Sequence, residues 1–133
     1  MIERLSVPLP DDVERIATTV IDAGFKVHKT LGPGLLESAY EHCLAHELKK
    51  RGLEIRRQVV KPIVYDDIEL EEGYRIDMLV NGVIVLELKA VETITPTHVA
   101  QLLTYLRLSG CRLGFLMNFS TPMFKNGVRR LVV

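Results

Sequence analysis

Residues 73–92 read GYRIDMLVNGVIVLELKAVE, and the rest of the chain is placed around them. Two apolar runs flank Asn81-Gly82, a pair that tolerates positive φ angles and predicts a β-hairpin. Asp77, Glu87 and Lys89 interrupt these apolar runs. An ionised group buried in a sheet without a partner costs on the order of several kcal/mol or becomes neutral. The three charges therefore predict either a cluster of paired ions or a bound metal ion.

The length of the hairpin loop determines which of these side chains share a face of the sheet. Side chains alternate between the two faces of a strand, and directly paired residues share one face. A two-residue turn at Asn81-Gly82 would place Asp77 on the face opposite Glu87. A three-residue loop over 80–82, with Gly82 as a bulge, instead places all three charges on one face. We predict the three-residue loop, because it alone separates an apolar face from a charged one. In this register the pairs are Leu79 with Val83 and Asp77 with Val85, the apolar face consists of Ile76, Met78, Ile84, Leu86 and Leu88, and the other face carries Asp77, Leu79, Val83, Val85, Glu87 and Lys89.

The segments around the hairpin alternate between helical and extended patterns. Apolar residues recur every three to four positions in the predicted helices and form short runs in the predicted strands. The predicted helices are 11–31, about 35–51 and 95–110, and the predicted strands outside the hairpin are 54–65, 68–71, 113–118 and 128–132. A helical connection between strands of one sheet predicts an α/β (α+β) fold, with a mixed central β-sheet flanked by helices.

Length and composition predict a single soluble domain over residues 1–133. The chain is 47% hydrophobic and 26% charged, which is typical of globular proteins. Residues 1–12 do not resemble a signal peptide and no apolar stretch is long enough to span a membrane, so we expect a cytoplasmic protein with no membrane partner. Cys43 and Cys111 are expected to be reduced thiols in helices. A net charge of zero counts against tight, non-specific binding of nucleic acid.

Three motifs in the chain resemble those of one nuclease superfamily. Asp77, followed after nine intervening residues by Glu87-Leu88-Lys89, resembles the PD-(D/E)XK nuclease motif, although Ile76 stands where proline often precedes the acidic residue. Residues 34–40, GLLESAY, match the motif that names the GxxExxY protein family, a nuclease-like branch of that superfamily. Residues 101–105, QLLTY, resemble the QxxxY helix motif of the RecB-like nucleases. The order and spacing of all three motifs make the resemblance specific.

The resemblance implies a restriction-endonuclease-like core and a metal-dependent nuclease that hydrolyses phosphodiester bonds. Mg²⁺ (or Mn²⁺) is the implied cofactor, nucleic acid with DNA as its expected form is the implied partner, and a homodimer is compatible with the sequence. Mg²⁺ prefers oxygen ligands and commonly takes one or two carboxylates, a demand that Asp77 and Glu87 meet. The Leu88 backbone carbonyl and Glu37 complete the implied ligand set. Such an ion promotes deprotonation of water and offsets charge on the attacked phosphate.

The remaining motif side chains have expected roles around these ligands, in a catalytic set of Asp77, Glu87, Lys89, Glu37, Gln101 and Tyr105. Lys89 lies two residues after Glu87 on the same face, where it can orient the attacking hydroxide or stabilise the transition state. Gln101 and Tyr105 are four residues apart on the third helix and are expected to hold the substrate backbone or the lysine. Glu37 lies in the first turn of the second helix, so its carboxylate either serves only the helix dipole or projects towards the hairpin.

Other interpretations of the charged residues stay open. Lys89 could neutralise Asp77 and Glu87 in a structural ion cluster. The chain could also be a non-catalytic module that binds nucleic acid or a protein, or a phosphoesterase that acts on small nucleotides. A small enclosed pocket would favour nucleotides, whereas a groove would favour a polynucleotide. The basic residues expected to line such a groove are Arg56, Arg57, Lys61 and those of residues 125–130.

The histidines are expected to be structural or exposed. His28 lies on the apolar stripe of the first helix and is expected to be a hydrogen-bonded core residue. His42 and His46 have the i,i+4 spacing of zinc ligands, but they lie away from the apolar stripe of the second helix and lack a matched third ligand. We therefore expect them at the solvated surface.

Overall fold

Five strands form one mixed sheet with helices packed on both of its faces. The computed structural model of the protein describes residues 7–133. The elements in chain order are α1 (Asp11–Leu31), α2 (Glu37–Lys50), β1 (Ile55–Tyr65), β2 (Ile68–Val80), β3 (Ile84–Lys89), α3 (Pro96–Ser109), β4 (Leu113–Asn118), a short 3₁₀ helix (Phe124–Gly127) and β5 (Val128–Val132). The spatial order of the strands follows the chain; β3 and β4 are parallel, and the other neighbouring pairs are antiparallel. The predicted α+β fold is confirmed.

Two apolar cores lie on the opposite faces of this sheet. Helices α1 and α2 cover one face, where Leu44 belongs to the same buried cluster as Leu86 of β3. Helix α3 covers the other face, where Leu102 is buried together with Val85 of β3. Because the parallel pair of β3 and β4 is covered on both sides, its residues are almost all apolar. Glu87, which is only 3% exposed, is therefore a carboxylate inside the sheet.

The hairpin loop between β2 and β3 has three residues, as predicted, but it lies one position further along the chain. Asn81 and Gly82 adopt φ angles of 51° and 68°, and the Val83 N–H donates a 3.0 Å hydrogen bond to the Val80 carbonyl. The two positive-φ residues thus occupy the centre of the turn, and Val83, not Gly82, is the extra residue. The observed pairs are Met78 with Leu86, Leu79 with Val85 and Val80 with Ile84, so the predicted pairs of Leu79 with Val83 and Asp77 with Val85 are wrong.

The alternation of side chains along β2 is interrupted at Asp77. Met78 is buried on the face that α1 and α2 cover, whereas Ile76 is buried with Val59 on the α3 face. The prediction that Ile76 shares a face with Met78 is therefore wrong. Opposite Asp77, Gln58 of β1 has a φ of 51° and is skipped in the β1–β2 register. A non-glycine residue at positive φ marks a local irregularity of the backbone. Here it coincides with the position at which Asp77 departs from the regular alternation of side chains along β2.

The other elements agree with the sequence predictions apart from small shifts of their ends. The predicted strand 68–71 and the first arm of the hairpin form one continuous strand, β2. Residues 1–6, which precede every predicted helix and strand, lie outside the described residues. Within residues 7–133, no helix combines the length and the apolar character needed to cross a membrane.

Two expectations about single side chains can be compared with the structure. His28 is 8% exposed, and its Nε2 lies 2.7 Å from the Thr121 carbonyl oxygen, which confirms a hydrogen-bonded core histidine. Cys43 and Cys111 are half-buried free thiols. Cys43 lies in α2, but Cys111 lies in the connection between α3 and β4, so the prediction that both are helical is half wrong.

Candidate active site

Asp77 and Glu87 meet where strands β2 and β3 separate. Beyond the last backbone pair, the Asp77 N–H donates a 2.8 Å hydrogen bond to Glu87 Oε2. The Leu88 N–H donates a 3.0 Å hydrogen bond to Asp77 Oδ2. Each carboxylate therefore accepts from an amide that would bond a backbone carbonyl in a continuous ladder. The sheet itself holds the two acids side by side.

The surroundings of these two carboxylates disfavour their charged forms. Burial, followed by the charge of Asp77, raises the pKa of Glu87 to about 8. Burial also raises the pKa of Asp77, against the opposing effects of the Leu88 N–H and of Lys89. Lys89 forms no ion pair within 4.0 Å in the part of the chain that the structure describes. Lys89 thus acts on the two acids only through its charge at longer range, without the direct ion pair that the ion-cluster interpretation requires.

The start of α2 brings Glu37 towards the same pair. Glu37 as a whole residue is exposed in the first turn of the helix, but its carboxyl group is partly desolvated. Burial of its carboxyl group, followed by the charge of Asp77, raises the pKa of Glu37, while Lys89 and a hydrogen bond from the Ala90 backbone lower it. These partners belong to β2 and to the end of β3, so the Glu37 carboxylate faces the hairpin in addition to the helix dipole.

The Gly34–Tyr40 motif positions Glu37 through a turn that Tyr40 closes. The Tyr40 hydroxyl donates a 2.6 Å hydrogen bond to the Gly32 carbonyl and accepts a 3.0 Å bond from the Leu35 N–H. Gly34 has a φ of 101°, a conformation that a side chain would strain. Gly34 and Tyr40 are thus folding residues, and Glu37 is the member of the motif that faces the carboxylate pair.

Glu41, which belongs to none of the sequence motifs, lies near Asp77 and has its own hydrogen-bond partners. It follows Glu37 by one helical turn and is 8% exposed. Its carboxylate accepts hydrogen bonds from Arg57 Nε and Nη2, at 3.0 and 2.7 Å, and from Gln58 Nε2 at 2.6 Å. Beyond the larger causes given above, the charge of Glu41 raises the pKa of Asp77 and a Gln58 hydrogen bond lowers it. The i,i+4 spacing from Glu37 was the available signal in the sequence.

Tyr105 interacts with the carboxylates from α3, whereas Gln101 does not contact them. The ring of Tyr105 is half-buried and packs on that of Tyr74, with centroids 5.0 Å apart. Burial, followed by the charges of Glu87 and Asp77, raises the pKa of the Tyr105 hydroxyl. Gln101 is exposed one turn earlier and, within residues 7–133, has no hydrogen bond to either acid.

Asn118 fixes the segment that follows Lys89, a role that the sequence did not indicate. It is 1% exposed at the end of β4, where it pairs with Lys89. Its side chain accepts a 3.1 Å hydrogen bond from the Val91 N–H and donates a 2.8 Å bond to the Val91 carbonyl. Asn118 therefore fixes the backbone directly after Lys89.

The donor chemistry of the site fits a hard divalent cation. Mg²⁺ and Mn²⁺ take oxygen ligands, and Mg²⁺ commonly binds through only one or two carboxylates. Asp77 and Glu87 supply two, and their burial and mutual repulsion favour a cation between them. In the described part of the chain, no three His, Cys, Asp or Glu side chains converge closely enough to share one metal ion. The fit therefore rests on the two strand carboxylates.

His42 and His46 are exposed on α2, as expected. The Nδ1 of His42 lies 3.1 Å from Arg57 Nη1, so this ring borders the Glu41 group. Since no three potential ligands converge within residues 7–133, the pair has no third ligand for zinc there.

Comparison with known proteins gives one match. A family model described as the PD-(D/E)XK nuclease superfamily matches residues 14–131, which include β1 to β4, α2, α3 and nearly all of α1 and β5. No curated protein and no solved structure matched the chain.

Proposed function

The chain belongs to the PD-(D/E)XK nuclease superfamily, and from that premise we propose that it is a metal-dependent nuclease that hydrolyses phosphodiester bonds in DNA. The observation that carries this proposal is the pair of side-chain-to-backbone hydrogen bonds joining Asp77 and Glu87. The buried Glu87 and the half-buried Asp77 are held side by side, with Lys89 unpaired in the described chain, and such a pair is poorly suited to stabilise the sheet. It is well suited to bind a cation.

In this proposal Asp77, Glu87 and the Leu88 backbone carbonyl hold Mg²⁺ or Mn²⁺. The ion supplies Lewis-acid chemistry, since it promotes deprotonation of water and offsets charge on the attacked phosphate. Glu37 faces the pair without joining it in a three-ligand cluster within the described residues, so its carboxylate would support a bound cation by its charge. Glu41, held by Arg57 and Gln58, adds a further negative charge near Asp77.

Lys89 and Tyr105 act on the substrate in this scheme. Lys89 orients the attacking hydroxide or stabilises negative charge on the phosphate as a point charge. The hydroxyl of Tyr105, whose pKa is raised by burial and by the two acids, stays protonated and donates a hydrogen bond to a phosphate oxygen. Gln101, exposed one turn earlier, binds the substrate backbone further from the reacting phosphate.

The distribution of charge supports a polynucleotide substrate. Residues 93–133 contain no Asp or Glu, so the zero net charge of the chain hides a basic segment that runs from α3 to β5. Its basic residues are Arg107, Arg112, Lys125, Arg129 and Arg130.

We also infer that the chain is a member of the GxxExxY branch and that residues 1–133 form one nuclease-like domain. Support comes from the turn that Gly34 and Tyr40 build, which gives each position of the motif a physical task. The family match over residues 14–131 leaves little of the chain outside such a domain.

A non-catalytic module on the same fold is the second candidate function. It is favoured by one observation, that no three potential ligands converge within residues 7–133. Such a module could retain Asp77 and Glu87 without binding Mg²⁺ or Mn²⁺ there.

The test is incubation of purified protein with labelled single- and double-stranded DNA and RNA in Mg²⁺, Mn²⁺ or EDTA. We expect cleavage of DNA with either metal and none with EDTA or with Asp77→Asn. A small phosphodiester added as a further substrate distinguishes a nucleotide phosphoesterase. No cleavage in any arm, together with no Mn²⁺ binding by calorimetry, would overturn the proposal in favour of the non-catalytic module.

A further inference from the structure

The outer parts of β1 and β2 extend beyond the rest of the sheet as a two-stranded ribbon, defined here as residues 60–75. Strand β2 pairs with β3 only from Met78 to Val80, but it pairs with β1 as far as Ile68. The ribbon residues therefore have backbone partners only in each other. At about 3.3 Å per residue, the ribbon projects roughly 20 Å.

One face of the ribbon is apolar and exposed. Tyr65 pairs with Ile68 and Ile63 pairs with Leu70, so these side chains share a face. An isolated two-stranded hairpin is only marginally stable in water, and a contiguous exposed apolar face marks an interaction surface. On this face the exposed large side chains are Tyr65, Ile68 and Leu70, at 52% to 70%, whereas Val64, which pairs with Glu69, alternates onto the opposite face.

The tip of the ribbon is strongly acidic, which restricts what can bind there. Its acidic residues are Asp66, Asp67, Glu69, Glu71 and Glu72, and residues 66–72 contain no Lys or Arg. Such a surface repels phosphates, so it is no part of a nucleic-acid interface. Contact between two ribbons would oppose five acids to five. The fitting partner carries apolar and basic residues together.

The opposite edge of the sheet carries that complementary surface. Strand β5 is an edge strand, and residues 125–133 contain three basic residues and no acidic one. Arg130 is paired with Glu14 at 2.7 Å, which leaves Lys125 and Arg129 as the cations without a salt bridge among the described residues. Exposed apolar side chains beside them are Met123, Val132 and Val133.

We propose that the ribbon of one molecule docks on the β5 edge of a second copy of the chain. The ribbon supplies acidic and apolar groups, and the edge supplies basic and apolar groups, so the two surfaces are complementary in both respects. Exchange of both ribbons about a two-fold axis closes a dimer, whereas one-way contacts build an open chain of molecules. This inference goes beyond the nuclease activity and does not depend on it.

Sedimentation of protein freed of nucleic acid tests the proposal, because Lys125 and Arg129 would also attract nucleic acid. We expect concentration-dependent association that weakens as salt is raised. The ribbon variant Asp66→Lys/Asp67→Lys/Glu69→Lys and the edge variant Lys125→Glu/Arg129→Glu should each associate about 100-fold more weakly than wild type, because like charges then meet. The matched control Asp11→Lys/Asp12→Lys, at the exposed start of α1, should leave association unchanged.

Mixing the two variants gives the decisive result. Each contact in a mixed complex joins an acidic surface to a basic one, so the mixture should associate like wild type although neither variant does so alone. A wild-type chain that stays monomeric at every concentration, or association that neither variant weakens, would overturn the proposal. Circular dichroism checks the fold of both variants. The edge variant alone decides the matter if the ribbon variant fails to fold.

Discussion

Glu87 is the residue whose ionisation the fold resists most clearly. It is almost fully buried, and its carboxylate is held against the backbone of a second acid. Burial and the charge of Asp77 raise its pKa to about 8, from the ordinary 4.5. The native state therefore binds a proton more readily than the unfolded chain, and a cation that binds the ionised form competes with that proton.

The pH dependence of stability follows from this shift. The contribution of protonated Glu87 is fully present below pH about 4.5 and is lost as the pH rises through about 8. In EDTA we expect the melting temperature to fall between pH about 5 and pH about 8, and Mn²⁺ to restore it mainly at the higher pH. Glu87→Gln should flatten both responses, and Glu71→Gln on the exposed ribbon should not. An unchanged profile in Glu87→Gln contradicts this account.

Substitution of Lys89 distinguishes a catalytic role of this residue from a structural one. Lys89→Ala should abolish cleavage but retain or tighten Mn²⁺ binding, because a cation beside the two acids opposes the metal. Glu87→Ala should lose both cleavage and Mn²⁺ binding. The free energy of unfolding of each variant should lie within about 1–2 kcal/mol of the wild-type value. Cleavage assays, metal titration and thermal melts measure these effects, with Lys49→Ala as the exposed control. If Lys89 neutralised a structural ion cluster, Lys89→Ala would cost roughly 3–5 kcal/mol and show no metal response.

At the scale of elements, the turn before α2 links folding to the site. Tyr40→Phe keeps the buried ring but removes the hydroxyl that bonds Gly32 and Leu35. We expect a loss of about 1–3 kcal/mol in the free energy of unfolding, because the turn loses both bonds, and weaker cleavage as the start of α2 shifts. Urea unfolding and cleavage assays on the same samples measure both. Glu37→Gln should reduce cleavage at unchanged stability, and Tyr65→Phe should change neither; a Tyr40→Phe variant of full stability would contradict the role of the turn.

The elements themselves follow from local pattern to different degrees. Strands β4 and β5 have the bounds predicted from the sequence, because short apolar runs are closed there by turn residues. The hairpin loop has the predicted odd number of residues. That number could be predicted because a change of one loop residue moves every side chain of the strand to the other face of the sheet. The predicted position of the loop was wrong by one residue, because the backbone geometry at Asn81 and Gly82 fixes the centre of the turn. That geometry is only weakly encoded in residue type.

The carboxylate pair of the candidate site could be anticipated because three charges in apolar strands are unusual on chemical grounds. The residues that surround the pair could not be anticipated from the sequence. Gln58 has no preference for the positive φ that breaks the pleat opposite Asp77. Glu41 faces the site only because β1 packs beside α2, a contact between distant segments. Asn118 acts through hydrogen bonds across 27 positions of the chain. Pattern along the sequence does not report such contacts.

For the molecule as a whole, the parallel pairing of β3 and β4 has a consequence for the order of folding. Strands β1, β2 and β3 are joined by short turns, whereas β4 reaches β3 only after α3 has crossed over the sheet. Contacts between near neighbours in sequence cost less loop-closure entropy and tend to form earlier. The hairpin that bears both acids is therefore expected in the folding transition state, before β4 docks.

Leu79→Ala and Leu116→Ala compare the two stages, since both side chains are buried in the α3-side core and each loss should cost about 2–5 kcal/mol. We expect Leu79→Ala mainly to slow refolding and Leu116→Ala mainly to speed unfolding, as stopped-flow kinetics in denaturant would show. Equal effects on the two rates would place β4 in the nucleus as well. With the expected result, Asp77 and Glu87 are already neighbours before β4 pairs with β3. A divalent cation present during refolding would then change the refolding rate as well as the stability of the folded protein.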